Sequence, residues 1–157
     1  MNAPNIVVSR HVGATPALVF AMISDLPRMG EWSPECTGGT WSGGASGPAV
    51  GARFKGTNTH GKKRWSTSVT VAVCDAPTSF AFDVSAVGMA IARWQYDIAA
   101  DGDGCAVTES WIDKRNRVAK LFGGPASGVK ERDGHNRVGM EKTLEKLAAA
   151  AEASSIS

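Results

Sequence analysis

The chain has 157 residues, with 17 Lys and Arg against 15 Asp and Glu, a formal charge of +2 and a hydrophobic fraction of 43%. That is the make-up of one ordinary globular domain, long enough to bury roughly two thirds of the surface its unfolded form exposes without metal or disulfide staples. The charge balance excludes a dedicated nucleic-acid binder, which carries a strong basic excess, and no apolar run approaches the ~20 residues of a membrane span.

The opening Met1-Asn2-Ala3-Pro4-Asn5 has no basic region leading into a long apolar stretch, so the expectation is a cytoplasmic protein with no stable membrane insertion. From Ile6 to Val12, apolar Ile6, Val8 and Val12 alternate with Val7, Ser9 and His11, the pattern of a strand with one more apolar face. Thr15-Pro16 then supplies an N-cap and a first-turn proline. Leu18, Val19, Met22, Ile23 and Leu26 recur at helical spacing until Leu26-Pro27 stops them, which predicts a short amphipathic helix. A further turn is expected from Arg28 to Trp32, with Trp32 anchoring it against a sheet edge.

Strand-like pieces follow, at about 35–42, 50–59, 63–74, 79–86, 89–99 and 105–114, separated by glycine, proline and aspartate. No fixed period is present, which excludes a propeller or solenoid. After Phe122-Gly123-Gly124-Pro125, residues Asn136, Met140, Leu144, Leu147 and Ala151 fall on one stripe, predicting a C-terminal helix from roughly 129 to 153. The expected organisation is a single domain over 1–153, with 154–157 as a frayed tail.

Turn positions set the pairing. The loop Asp101-Gly102-Asp103-Gly104 places Ile98 opposite Val107, Tyr96 opposite Glu109 and Trp94 opposite Trp111, leaving Arg93, Gln95 and Asp97 on a wet face. Asp75-Ala76-Pro77-Thr78 pairs Val73 with Phe80, Val71 with Phe82 and Val69 with Val84. A tight turn at His60-Gly61 puts Phe54, Gly56 and Asn58 on the side of Trp65 and Thr67. An odd-numbered loop near Val87-Gly88 is expected to set Phe82 beside Ala92 and Phe80 beside Trp94. The outcome is an antiparallel α+β meander whose inner face carries Phe54, Trp65, Val69, Phe82, Trp94, Tyr96 and Trp111. One long helix must cover that face, and the glycines permit the curvature this demands. The aromatics then either fill a core or line a concave apolar pocket.

Cys36, Cys74 and Cys105 are far apart, and His11, His60 and His135 are scattered with no metal-ligand spacing. Buried thiols acting as small apolar groups are expected, and no metal site. The Gly38-Gly39 and Gly43-Gly44 stretches lack GxxxxGK[ST] and read as turns, so no nucleotide cofactor is expected either. Glu109, on an apolar face beside Tyr96, would be desolvated and held neutral, a proton donor or a hydrogen-bond anchor for a ligand oxygen; a one-residue slip would instead turn it into water. Trp65, Trp94 and Trp111 offer flat surfaces for a fused-ring or acyl ligand, or pack the core. Residues 114–137 hold seven basic groups (Lys114, Arg115, Arg117, Lys120, Lys130, Arg132 and Arg137) against Glu131 and Asp133, a local +5 that leaves −3 for the remainder. This segment reads either as a flap with a basic rim that attracts an anionic head group or as a solvated surface.

The order strand, helix, antiparallel strands, long C-terminal helix, with Thr15-Pro16-Ala17-Leu18-Val19-Phe20, the run Asp25-Leu26-Pro27-Arg28-Met29-Gly30-Glu31-Trp32-Ser33-Pro34, Arg93-Trp94-Gln95-Tyr96, Val107-Thr108-Glu109-Ser110-Trp111 and 139–147, resembles the SRPBCC or START-like superfamily, and within it the polyketide cyclase/dehydrase-like branch. The resemblance implies a helix-grip fold, in which about seven strands curve around the C-terminal helix with a hydrophobic cavity between. It supplies no catalytic motif. Members include lipid carriers, hormone receptors, polyketide aromatases and chaperone-ATPase activators, so activity stays open. The expected function is binding of a lipid, fatty acyl or polyketide-like molecule in the cavity, by Phe54, Trp65, Val69, Phe82, Trp94, Tyr96, Glu109, Trp111, Met140 and Leu144. The alternatives are a polyketide cyclase, aromatase or dehydratase that uses Glu109 and Tyr96, and a protein-interaction module.

Overall fold

The structure, a computed structural model, describes residues 3–118, 120–121 and 131–156. Strand β1 spans Ile6–Val12 and helix α1 Pro16–Ser24. Thr15 caps α1 as expected, with its hydroxyl oxygen accepting from the Leu18 amide at 3.2 Å. Pro27 follows and the chain tightens into a 3-10 turn, Leu26–Glu31, which packs against the next strand. Trp32, just beyond it, is buried with the Arg28 guanidinium 5.2 Å above its ring.

Strands β2 (Cys36–Ser42), β3 (Arg53–His60), β4 (Lys63–Asp75), β5 (Ser79–Ala86), β6 (Met89–Asp101) and β7 (Gly104–Asp113) then run as a meander, and helix α2 (Arg132–Ile156) closes the chain. All seven strands form one curved antiparallel sheet in the order β1-β7-β6-β5-β4-β3-β2. Because β1 pairs with the last strand and not with β2, β1 and β2 form the two edges of the sheet. Helix α2 packs on β1, β7 and α1 through Leu144, Leu147, Ala148 and Ala151, all buried. It runs through Ile156, three residues past the expected end. The Ser154 and Ser155 hydroxyls donate to the carbonyls of Ala150 and Ala151 at 3.0 and 3.1 Å, so residues 154–156 are helical where an unravelled tail was expected.

The registers test the turn arithmetic. Trp94 faces Trp111, Tyr96 faces Glu109 and Ile98 faces Val107, as the loop at 101–104 requires. Phe54, Gly56 and Asn58 face Val69, Thr67 and Trp65, and Val71 and Val69 face Phe82 and Val84. Two expectations are overturned by bulges. Between Val71 and Val73 the β4–β5 ladder slips by one, so Val73 meets Ala81 and Phe80 meets Cys74. Near the β5–β6 turn the extra residue lies in β6, at Ile91, and not in the loop. The turn is a two-residue Val87-Gly88 with both φ angles positive, at 52° and 74°, and Phe82 consequently faces Trp94 while Phe80 faces Tyr96. At Gly39, opposite Gly56, a side chain would strike the Lys55 carbonyl and the Phe54 ring, so glycine is what lets β2 lie close on β3.

Candidate functional site

The bulges carry the slipped strands back into phase, so the period-two rule still delivers one inner face. Two rows cross it. Phe82, Trp94 and Trp111 stand opposite one another on β5, β6 and β7, and Phe80, Tyr96 and Glu109 form the adjacent row. The Trp94 and Trp111 rings lie 6.4 Å apart and tilted by 50°, while Phe80 turns into the core beside Phe20. Between this face, the 3-10 turn and the first half of α2 lies a cavity of about 290 Å³, near the lower end of the range of small-molecule sites.

Phe54, Trp65, Val69, Phe82, Trp94, Tyr96, Glu109, Trp111 and Met140 all line it. Leu144 does not: it is buried one turn further along α2, in the core with Val19, Phe20 and Leu147, because the helix has by then descended onto β1 and α1. The choice between a filled core and a hollow therefore divides along the molecule. The end holding Phe20, Phe80, Ile98 and Leu147 is filled, and the end holding the tryptophans is open.

Glu109 is 2% and Tyr96 3% exposed. The Tyr96 hydroxyl donates to Glu109 Oε1 at 2.9 Å, and Glu109 Oε2 has no hydrogen-bond partner among the described residues. Burial pushes the Glu109 carboxyl up to about 8, against the smaller opposing pull of the Tyr96 hydrogen bond. At neutral pH it is therefore mostly a carboxylic acid. Burial also drives the Tyr96 phenol well above its usual range, with the neighbouring Glu109 adding to the effect.

The rim is built differently. Glu35, just before β2, accepts from Arg132 Nη1 with both oxygens at 2.9 Å, and lies 2.8 Å from His135 Nε2. The His135 ring meets His60 edge-on at 4.7 Å, joining the start of α2 to the β3–β4 turn. Glu35, Arg132, His135 and Asn136 all line the cavity. Arg132 and Asn136 appeared in the sequence only as a basic group and a stripe position. Glu35 and His135 carried no signal, since 100 residues separate them. Val87 also lines the opening, 95% exposed at the tip of its hairpin.

Four of the seven basic groups of the expected rim lie against carboxylates. Lys114 lies 3.0 Å from Asp83, Arg115 2.8 Å and Lys120 3.8 Å from Asp113, and Arg132 against Glu35. Phe122-Gly123-Gly124-Pro125 and Lys130, the core of the expected flap, lie outside the described residues. Among the described residues no cluster of His, Cys, Asp and Glu is placed to hold a metal, and no helix is long and apolar enough to cross a membrane. The wall can thus do two things chemically: present flat apolar surface, and present one carboxylic acid backed by a phenol.

The family model described as polyketide cyclase/dehydrase and lipid transport matches residues 3–152. No curated protein sequence matches the chain. Among solved structures, the polyketide-cyclase-like protein Cgl2372 from Corynebacterium glutamicum is 28% identical with a TM-score of 0.57, covering 94% of this chain and 88% of its own. The di-domain aromatase/cyclase StfQ of the steffimycin biosynthetic pathway superposes with a TM-score of 0.71 at 11% identity, over 94% of this chain and 50% of StfQ. A protein designated KanY gives 0.68 at 18% identity over 97% and 99%. The last two likenesses are of fold.

Proposed function

The chain belongs to the polyketide cyclase/dehydrase and lipid transport family, and on that premise we propose that it binds a hydrophobic or amphipathic small molecule, of lipid, fatty acyl or polyketide-like type, in the cavity between sheet and α2. The observation that carries this reading is the composition of the wall. Indole, phenyl and aliphatic groups from five strands and α2 surround about 290 Å³, and the polar groups Glu35, Arg132 and His135 stand together at the rim. An apolar body would be desolvated against Trp94 and Trp111 while a more polar end stays near the opening. Native mass spectrometry of protein purified from its own host tests this directly. Retention of a co-purified apolar ligand is the expected result. A ligand-free protein that also fails to take up fatty acids or fused-ring compounds would overturn it and favour a protein-interaction module.

A second reading is supported by the Tyr96–Glu109 pair. A carboxylic acid poised near neutrality beside a phenol has the properties of a general acid for aldol-type cyclisation or dehydration of a poly-ketone. Glu109→Gln separates the two readings. The amide keeps a hydrogen-bond donor but has no proton to transfer, so a carrier retains its affinity within about threefold, whereas acid-catalysed turnover is abolished.

A further inference from the structure

Val87 breaks two local rules at once. The β5–β6 turn, Val87-Gly88, has both φ angles positive, at 52° and 74°, a conformation that asparagine, aspartate and glycine adopt readily and a β-branched side chain does not. The isopropyl group that causes the strain gains almost no burial in return, because Val87 is 95% exposed. Strain held at an exposed apolar tip points to a partner outside the chain.

The topology fixes what surrounds that tip. Strands β3, β5 and β7 run in one direction, so the β3–β4 turn, the Val87 turn and the segment after β7 share the end at which the cavity opens. Lys62, Lys63 and Arg64 stand exposed at the first of these and Arg117 in the last, and none of the four makes an ion pair among the described residues. The last segment also exposes Val118 and Leu121, and Lys120, 3.8 Å from Asp113, ties it to the end of β7. The opposite end has the other sign. Its turns, 75–79 and 101–104, hold the carboxylates of Asp75, Asp101 and Asp103 and no Lys or Arg.

We propose that the cavity-mouth end docks on an anionic lipid bilayer, with Val87 pressed into the boundary between head groups and acyl chains and Lys62, Lys63, Arg64 and Arg117 against the lipid phosphates. A protein interface gathers its apolar groups at the centre of a patch and keeps charge out of it. Here single apolar side chains stand on projecting turns among cations, the pattern of an interfacial anchor. The carboxylates of the far end are repelled by the same surface, which sets the end that approaches. Anchors this small hold loosely, so docking is reversible and salt-sensitive. It lays the cavity mouth on the bilayer and needs nothing from the cavity's contents.

Co-sedimentation with vesicles of phosphatidylcholine, with and without about one third phosphatidylglycerol, tests this. The expected result is at least about tenfold stronger partition onto the anionic vesicles, lost in roughly 0.5 M salt. Val87→Asn separates the anchor from the fold: asparagine suits the turn, so the urea midpoint rises while partition falls about fivefold. Lys62→Ser combined with Lys63→Ser lowers partition about tenfold. Equal partition onto the two kinds of vesicle, or partition unchanged by Val87→Asn, overturns the proposal. Absence of binding to either vesicle also overturns it and assigns the Val87 tip to a protein partner.

Discussion

The cavity holds two glutamates in opposite circumstances. Glu35 at the rim is clasped by a guanidinium and an imidazole, each 2.9 Å away or less, and holds the start of α2 to the sheet. Glu109 in the wall has one phenol for company, an oxygen without a partner among the described residues and burial that keeps its proton on. The same side chain serves as an anionic clasp in one place and as a neutral acid in the other. What separates them is whether a cation arrived along with the desolvation.

The largest effect that would break this contrast is a pH dependence. Because the folded carboxyl of Glu109 titrates near 8 against an ordinary 4.5, the folded state binds the proton more tightly than the unfolded one. Its contribution to stability is full below about 4.5, declines as pH rises, and is gone above about 8, at up to about 1.4 kcal/mol per pH unit. Urea midpoints of the wild type should therefore fall between pH 5 and pH 8 relative to those of Glu109→Gln. Parallel curves would mean that Glu109 binds its proton no more tightly in the folded state than in the unfolded chain. Glu35→Ala comes next: it strips Arg132 and His135 of their shared acceptor and should cost about 1–3 kcal/mol at pH 7. A double-mutant cycle with Arg132→Ala should return a coupling of about 0.5–3 kcal/mol, and additivity would dissolve the clasp.

Tyr96→Phe sharpens the contrast from the other side. It keeps the ring and removes the hydrogen bond, at about 1 kcal/mol. That bond holds the Glu109 carboxyl down, so its loss moves the decline in stability to higher pH, measurable in the same urea series. The smallest effect belongs to the outer face of the sheet, where Asp83 pairs with Arg93 at 2.8 Å and is held below the usual carboxylate range by that hydrogen bond. Asp83 is over a third exposed, so Asp83→Asn should cost no more than about 0.5 kcal/mol after solvent screening, read from the same urea midpoints.

The two glutamates also differ in how visible they were. Glu109 was legible because strand alternation and one glycine-rich hairpin are local rules: they place Tyr96 beside it and Trp94 beside Trp111 before any tertiary contact is known. The same rules failed at Val73 and at the β5–β6 turn. A bulge leaves no compositional mark when the extra residue is an ordinary Ala72 or Ile91. The Leu144 error has a related source, since a helical stripe says which residues are buried but not whether they face a hollow or a filled core.

Composition and periodicity by themselves determined seven antiparallel strands, a long closing helix and which side chains share the inner face, because each follows from steric and hydrophobic preferences that act within a dozen or so residues. The tertiary structure alone decided where that inner face is hollow, that Glu35, Arg132, His135 and His60 meet at its rim, and that Glu109 and Tyr96 are buried together. Those outcomes depend on how far α2 stands off the curved sheet and on contacts between groups about a hundred residues apart, and no local pattern encodes such a distance.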